Sequence, residues 1–263
     1  MPTADVNGIK ISFADSGSSG SGSSGLAVVF SHGILMDKSM FDAQVAALSP
    51  GYRVITWDER GHGGTAATGP FSYWDSAKDL LGLLDHLGIE TAVLAGMSQG
   101  GFLSLRAALL APERVRGLVL IDTQAGLEDP ANVESYQQLH EIWMSQGPEP
   151  VQEVVSAIIL GPGDWSDWYA KWAAADRDQF SHAFGALVER DDITPRLSEI
   201  TVPTLIVHGT ADAAIPMNKA EQLRDGLAGE VSFATIEGGT HAANVSHPQA
   251  VNDAILNFLR TLE

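Results

Sequence analysis

Of the 263 residues 44% are hydrophobic, enough for one substantial core, and the composition is not that of a disordered chain. Acidic residues outnumber basic ones 33 to 15, a net charge of −18 that repels phosphate backbones and argues against a nucleic-acid partner. Cysteine is absent, which excludes disulfides, thiolate catalysis and cysteine-ligated metals. With no signal-like pattern in MPTADVNGIK and no apolar run of ~18 residues, a cytoplasmic protein without a membrane span is expected.

Residues 8–14 predict an N-terminal hairpin. Residues 16–25, SGSSGSGSSG, are pure Ser and Gly and read as a flexible, linker-like loop with no means of packing. Short apolar, β-branched runs follow at 26–31 (LAVVFS), 52–57 (YRVITW), 92–95 (AVLA), 117–121 (GLVLI), 204–207 (TLIV) and 231–236 (VSFATI). Their lack of alternation suits strands buried on both faces. Helical spacing of apolar residues appears over 75–87, 102–110 and 250–262. Strands alternating with helices predict an α/β fold with a parallel sheet covered on both sides.

The stretch 127–196 contains no convincing strand and carries Trp143, Trp165, Trp168 and Trp172, four of the six tryptophans. It reads as a helical cap inserted between two strands, with 1–126 and 197–263 forming the core. Packing of the cap onto the core accounts for most of these aromatics. No repeat, Walker loop or GxGxxG after a strand is present. His140-Glu141 begins like a zinc-protease helix but lacks the second histidine, so no metal and no cofactor are expected.

One motif carries chemistry. Gly96-Met97-Ser98-Gln99-Gly100 falls between the strand AVLA and the helix beginning at Phe102. A serine on such a strand-to-helix turn is held with its hydroxyl exposed above the carboxyl end of the sheet, and the next backbone N–H faces a developing oxyanion. GxSxG alone is weak and also describes a tight turn; its placement makes it stronger. Serine needs a base, and His241, after the strand 231–236 and two glycines, is the best placed of eight histidines. His208 lies in or at the end of a strand and suits packing, His247 suits the surface, and His62 in ERGHGGT suits anchoring a loop. Asp212, in the loop HGTADAAIP, is the favoured orienting acid, with Asp122 at the end of GLVLID as the rival. The order Ser98, Asp212, His241 is that of the triad on this architecture. The loop His32-Gly33-Ile34 should sit beside the turn, so the N–H groups of Ile34 and Gln99 are the expected oxyanion donors.

The segments FSHGILMDKSMFDAQVAAL, VITWDERGHGGT, LAGMSQGG, HGTADAAIP and GGTHAANVSHP together resemble the α/β-hydrolase family. The likeness covers nearly the whole chain outside the cap and the Ser/Gly run, and is closest to small serine esterases related to cofactor-free haloperoxidases, perhydrolases and enol-lactonases. It implies an eight-stranded, mostly parallel sheet with a helical cap, and a Ser98–His241–Asp212 triad. Gln99 stands where the family often has Met or another apolar residue, and its side chain is expected to border the acyl pocket. The expected activity is hydrolysis of hydrophobic carboxylic esters, with lactonase or perhydrolase chemistry as alternatives on the same residues. A carbon–carbon bond hydrolase or a slow-turnover ligand receptor of the same fold is more remote.

Overall fold

The computed structural model describes residues 2–17 and 25–263. Most of the Ser/Gly run, 18–24, lies outside the described residues. Eight strands form one sheet in the order β1-β2-β4-β3-β5-β6-β7-β8. β1 (Thr3–Val6) and β2 (Ile9–Asp15) pair antiparallel with Val6 opposite Ile9. Asn7 and Gly8 between them both have positive φ, 48° and 79°, the two-residue turn for which Asn-Gly is suited. The hairpin therefore starts at Thr3, earlier than the reading of 8–14.

β2 pairs antiparallel with β4 (Arg53–Trp57); the remaining pairs, among β4, β3 (Ala27–Ser31), β5 (Ala92–Met97), β6 (Val115–Ile121), β7 (Thr204–Gly209) and β8 (Val231–Ile236), are all parallel. Every residue of β3, β5 and β7 is buried, because helices cover both faces and no face is left for polar residues. β8 departs from the expectation of two buried faces. It is the last strand of the sheet and is largely half-buried or exposed.

One face carries α2 (Tyr73–His86), α3 (Gln99–Leu110) and α8 (Met217–Gly226); the other carries α1 (Asp42–Leu48) and α10 (Pro248–Arg260). α2 begins two residues earlier than its apolar spacing suggests, because Ser72 and Asp75 form a reciprocal capping box. α3 starts at Gln99, since the turn at Ser98 feeds directly into it. Between β6 and β7 lie four helices, α4 (Pro130–Gln146), α5 (Gln152–Ile159), α6 (Ser166–Ala174) and α7 (Arg177–Val188). Trp172 of α6 donates its indole N–H to the Leu35 carbonyl at 2.7 Å and so fastens the inserted helices to the loop after β3. No helix among the described residues is long and apolar enough to cross a membrane.

β3 is flanked by β4 and β5, so the chain reverses its direction of winding there. In open α/β sheets the crevice at such a point, beyond the carboxyl ends of the strands, is where ligands bind. The loops after β3, β5, β6, β7 and β8 carry Ile34, Ser98, Asp122, Asp212 and His241 respectively.

Candidate active site

Ser98 follows β5 with φ +52° and ψ −116°, a conformation rare outside glycine. Its backbone is held on three sides. The Ser98 N–H donates to Ile121 O at 2.9 Å, and the Ser98 carbonyl accepts from Thr123 Oγ1 at 2.7 Å and from Gly101 N at 2.9 Å. The turn requires close approach of two backbones. A Cβ on Gly96 would lie 2.1 Å from the Gly100 carbonyl oxygen, and one on Gly100 would lie 2.0 Å from that of Ser31.

His241 Nδ1 is 2.9 Å from Asp212 Oδ2. The other Asp212 oxygen accepts the N–H groups of Ala214 and Ile215 at 2.8 and 2.9 Å. Burial opposes charge on Asp212, but His241 and these N–H donors outweigh it and hold the carboxyl below its usual range. Burial likewise opposes charge on His241, and the carboxylate of Asp212, helped by Asp122 and Glu128, raises it above 6.5. Engagement of Nδ1 leaves Nε2 as the free ring nitrogen. Ser98, His241 and Ile34 line one cavity of about 720 Å³, its mouth included, whose wall is otherwise almost wholly apolar, with Trp143, Phe180 and Phe184 prominent.

The rival acid, Asp122, is fully buried and turned elsewhere. Its oxygens accept Gly209 N at 2.7 Å and Ala243 N at 3.1 Å, tying β7 to the start of α9 (Ala243–Ser246). Burial, then the nearby Asp212 charge, pushes its carboxyl well above the ordinary value. His208 is buried between the two acids, and its Nε2–H donates to Ile215 O at 2.9 Å. His247 bonds Ser246. His62 and His32 serve the loops. Their Nε2 atoms accept the N–H groups of Leu35 at 3.3 Å and Glu59 at 3.0 Å. Burial keeps both neutral, with His62 lowered to about 3.

In the loop after β3, the N–H groups of Gly33, Leu35 and Met36 all have acceptors within the chain. That of Ile34 has none among the described residues, nor has that of Gln99 at the start of α3. The Gln99 side chain does not reach the cavity, contrary to expectation. It is buried beneath the turn, its Oε1 accepting from the Tyr73 hydroxyl at 3.2 Å, beside the fully buried Glu59. Of the four tryptophans in the inserted segment, only Trp143 lines this cavity.

Residues 27–248 match the sequence profile of the α/β hydrolase fold. The chain belongs to the α/β-hydrolase family. A protein assigned as carbamate hydrolase RutD from Rhizobium rhizogenes is 30% identical over 244 residues, which span 89% of this chain and 92% of the relative. The 3-oxoadipate enol-lactonase 2 of Acinetobacter baylyi is 28% identical over 239 residues, 87% of this chain and 86% of that one. The structure of a thermophilic esterase from Thermogutta terrifontis superposes with a TM-score of 0.87 at 27% identity, covering 99% of this chain and 98% of the esterase.

In this hydrolase, Asp122, His208 and Asp212 bring metal-ligating atoms within 4.8 Å of one another. Both oxygens of each carboxylate already accept hydrogen bonds, and only His208 Nδ1 is without a partner. That donor set is committed to holding loops. Three polar residues on the cavity wall, Glu128, Tyr136 and His140, carry no sequence motif that points to a site. Helical spacing of Tyr136 and His140 is the one available signal, and it does not say which face of α4 turns inward.

Proposed function

We propose that this hydrolase cleaves carboxylic esters of hydrophobic character through an acyl-enzyme on Ser98. The observation that carries the reading is the strained Ser98 turn opening into the same cavity as His241, whose Nδ1 is held by Asp212. His241 Nε2 takes the Ser98 proton as the serine oxygen attacks the ester carbonyl. The N–H groups of Ile34 and Gln99 hold the oxyanion. Collapse breaks the bond to the alcohol, which leaves with the proton from His241⁺, while Asp212 stabilises the imidazolium. Water then gives a proton to His241, attacks the acyl carbonyl and releases the acid, restoring Ser98. Residues 127–196 act as a cap that shapes an apolar acyl pocket and limits water near the acyl-enzyme.

Lactone opening uses the same steps, with the leaving alkoxide still tethered to the acyl group, and the enol-lactonase relative supports including it. A carbamate, as in the name of the first relative, or a peroxide in place of water would engage the same residues. The test is release of p-nitrophenolate from the acetate and butyrate esters by wild type and Ser98→Ala. Multiple turnover in the wild type, lowered at least ~10³-fold in a folded Ser98→Ala, supports the serine mechanism. A single burst, or equal rates, points to a slow-turnover receptor or to a substrate that is no simple ester. A panel of aryl esters, lactones and carbamates then ranks the substrate classes.

A further inference from the structure

The wall of the cavity holds one carboxylate, that of Glu128, and no Lys or Arg. Glu128 precedes α4 and is nearly buried, paired with Arg190 at 2.8 Å. Arg190 presents none of its charge to the cavity. Its guanidinium donates to Gly126 O, Leu187 O and Glu128 Oε1, and it lies 4.5 Å from the centre of the Phe102 ring, which itself forms part of the wall. Gln124 also donates to Glu128 Oε1, at 2.8 Å. Both bonds fall on one oxygen, and no hydrogen bond reaches Oε2 among the described residues. Tyr136 and His140, one turn apart on α4, face the same space. His140 stacks on Phe184 at 4.2 Å, and its Nε2 is buried without a partner.

A carboxylate oxygen without a partner in an apolar wall is costly unless something bonds it when the cavity is filled. We propose that Glu128 Oε2 is the acceptor for an uncharged hydrogen-bond donor, a hydroxyl or an amide N–H, carried by an otherwise apolar substrate, and that the same carboxylate excludes acyl groups bearing a second carboxylate. Tyr136 and His140 line the same pocket. This deepens the esterase reading and rests on it. The Arg190 pair positions Glu128; the carboxylate itself touches the substrate.

The test compares kcat/KM for methyl hexanoate, its α-, β- and ω-hydroxy analogues and monomethyl adipate, by acid release at constant pH. One hydroxy ester should exceed methyl hexanoate by on the order of tenfold, the worth of a hydrogen bond to a charged acceptor, and monomethyl adipate should fall below it by a similar factor. Glu128→Gln should erase the disfavour of the adipate ester and shrink the hydroxyl preference. Because that change leaves Arg190 buried without its counter-charge, the double variant Glu128→Leu with Arg190→Met is measured beside it; it too should lose the hydroxyl preference. Equal rates for all hydroxy esters and methyl hexanoate, or a preference that survives both variants, overturns the proposal and leaves the pair as a fastener of the inserted helices. Should wild type turn over neither these esters nor the p-nitrophenyl esters, the esterase reading fails, and calorimetric binding of the hydroxy esters to Ser98→Ala decides the pocket separately. Tighter binding than methyl hexanoate upholds the acceptor role, and equal or no binding ends it.

Discussion

Ser98 occupies a backbone conformation that costs a non-glycine residue about 1–3 kcal/mol, and Ile121, Thr123 and Gly101 hold it there. Ser98→Gly should therefore raise stability relative to Ser98→Ala by about 1 kcal/mol in urea unfolding, since glycine adopts positive φ freely. Equal stabilities would show that the turn is not strained. At the same scale the direction of the His241 shift sets a pH limb. Against the opposing effect of burial, Asp212 raises the pKa of His241 above 6.5, and in the proposed mechanism His241 must be neutral to accept the serine proton. Turnover should fall with acidification through a midpoint above that value. Asp212→Asn should lower turnover by ~10⁴-fold and move the limb to lower pH. An unchanged limb in that variant would move the acid's role to Asp122.

The strand-turn-helix element β5–α3 depends on backbone contact that no side chain can share. The Gly96 and Gly100 positions leave about 2 Å for a Cβ, far inside contact distance, and the obstructing atoms are backbone carbonyls. Gly100→Ala should cost more than ~3 kcal/mol or prevent folding. Gly185, in the middle of α7, has nothing within 4 Å of the position a Cβ would take, and Gly185→Ala should stabilise by about 0.5–1 kcal/mol through helix propensity. Thermal unfolding of the two variants checks both signs. These elements also divide what could be read early. The buried strands and the helices α2, α3 and α10 announce themselves through uninterrupted apolar runs and helical spacing, because local periodicity reflects local burial. The edge position of β8 does not, since pairing order in a sheet is decided by distant segments; β1 is four residues long, too short for its alternation to stand out, though the Asn7-Gly8 turn marks its pairing with β2.

Across the whole molecule, several ionisable groups are buried where charge is disfavoured. His62 is the clearest, lowered to about 3 by burial and then by His32. The unfolded chain takes up a proton at this residue near pH 6.5 and the folded one does not. Its contribution to stability is full above 6.5 and is lost as pH falls toward 3. Below 6.5 the wild type should lose up to about 1.4 kcal/mol more per pH unit than His62→Gln, which cannot titrate. Urea titrations at several pH values measure the two slopes; parallel slopes would refute the assignment. Buried Glu59 and Asp122 act with the opposite sign, since burial raises them, so only the difference between the two proteins isolates His62.

The sequence by itself determined the family, the alternation of strands and helices, and the candidates Ser98, Asp212 and His241, because a nucleophile on a strand-to-helix turn needs glycines that leave a written pattern. Its chain order and the spacing before His241 favoured Asp212 over Asp122, though both lie at the same edge of the sheet. Tertiary structure separates them by what their oxygens touch, the His241 ring for one and two backbone N–H groups for the other. It also turned Gln99 away from the pocket and gathered Glu128, Tyr136 and His140 into it. Those placements come from how the inserted helices dock on the loops of the sheet, a long-range packing that no local periodicity encodes.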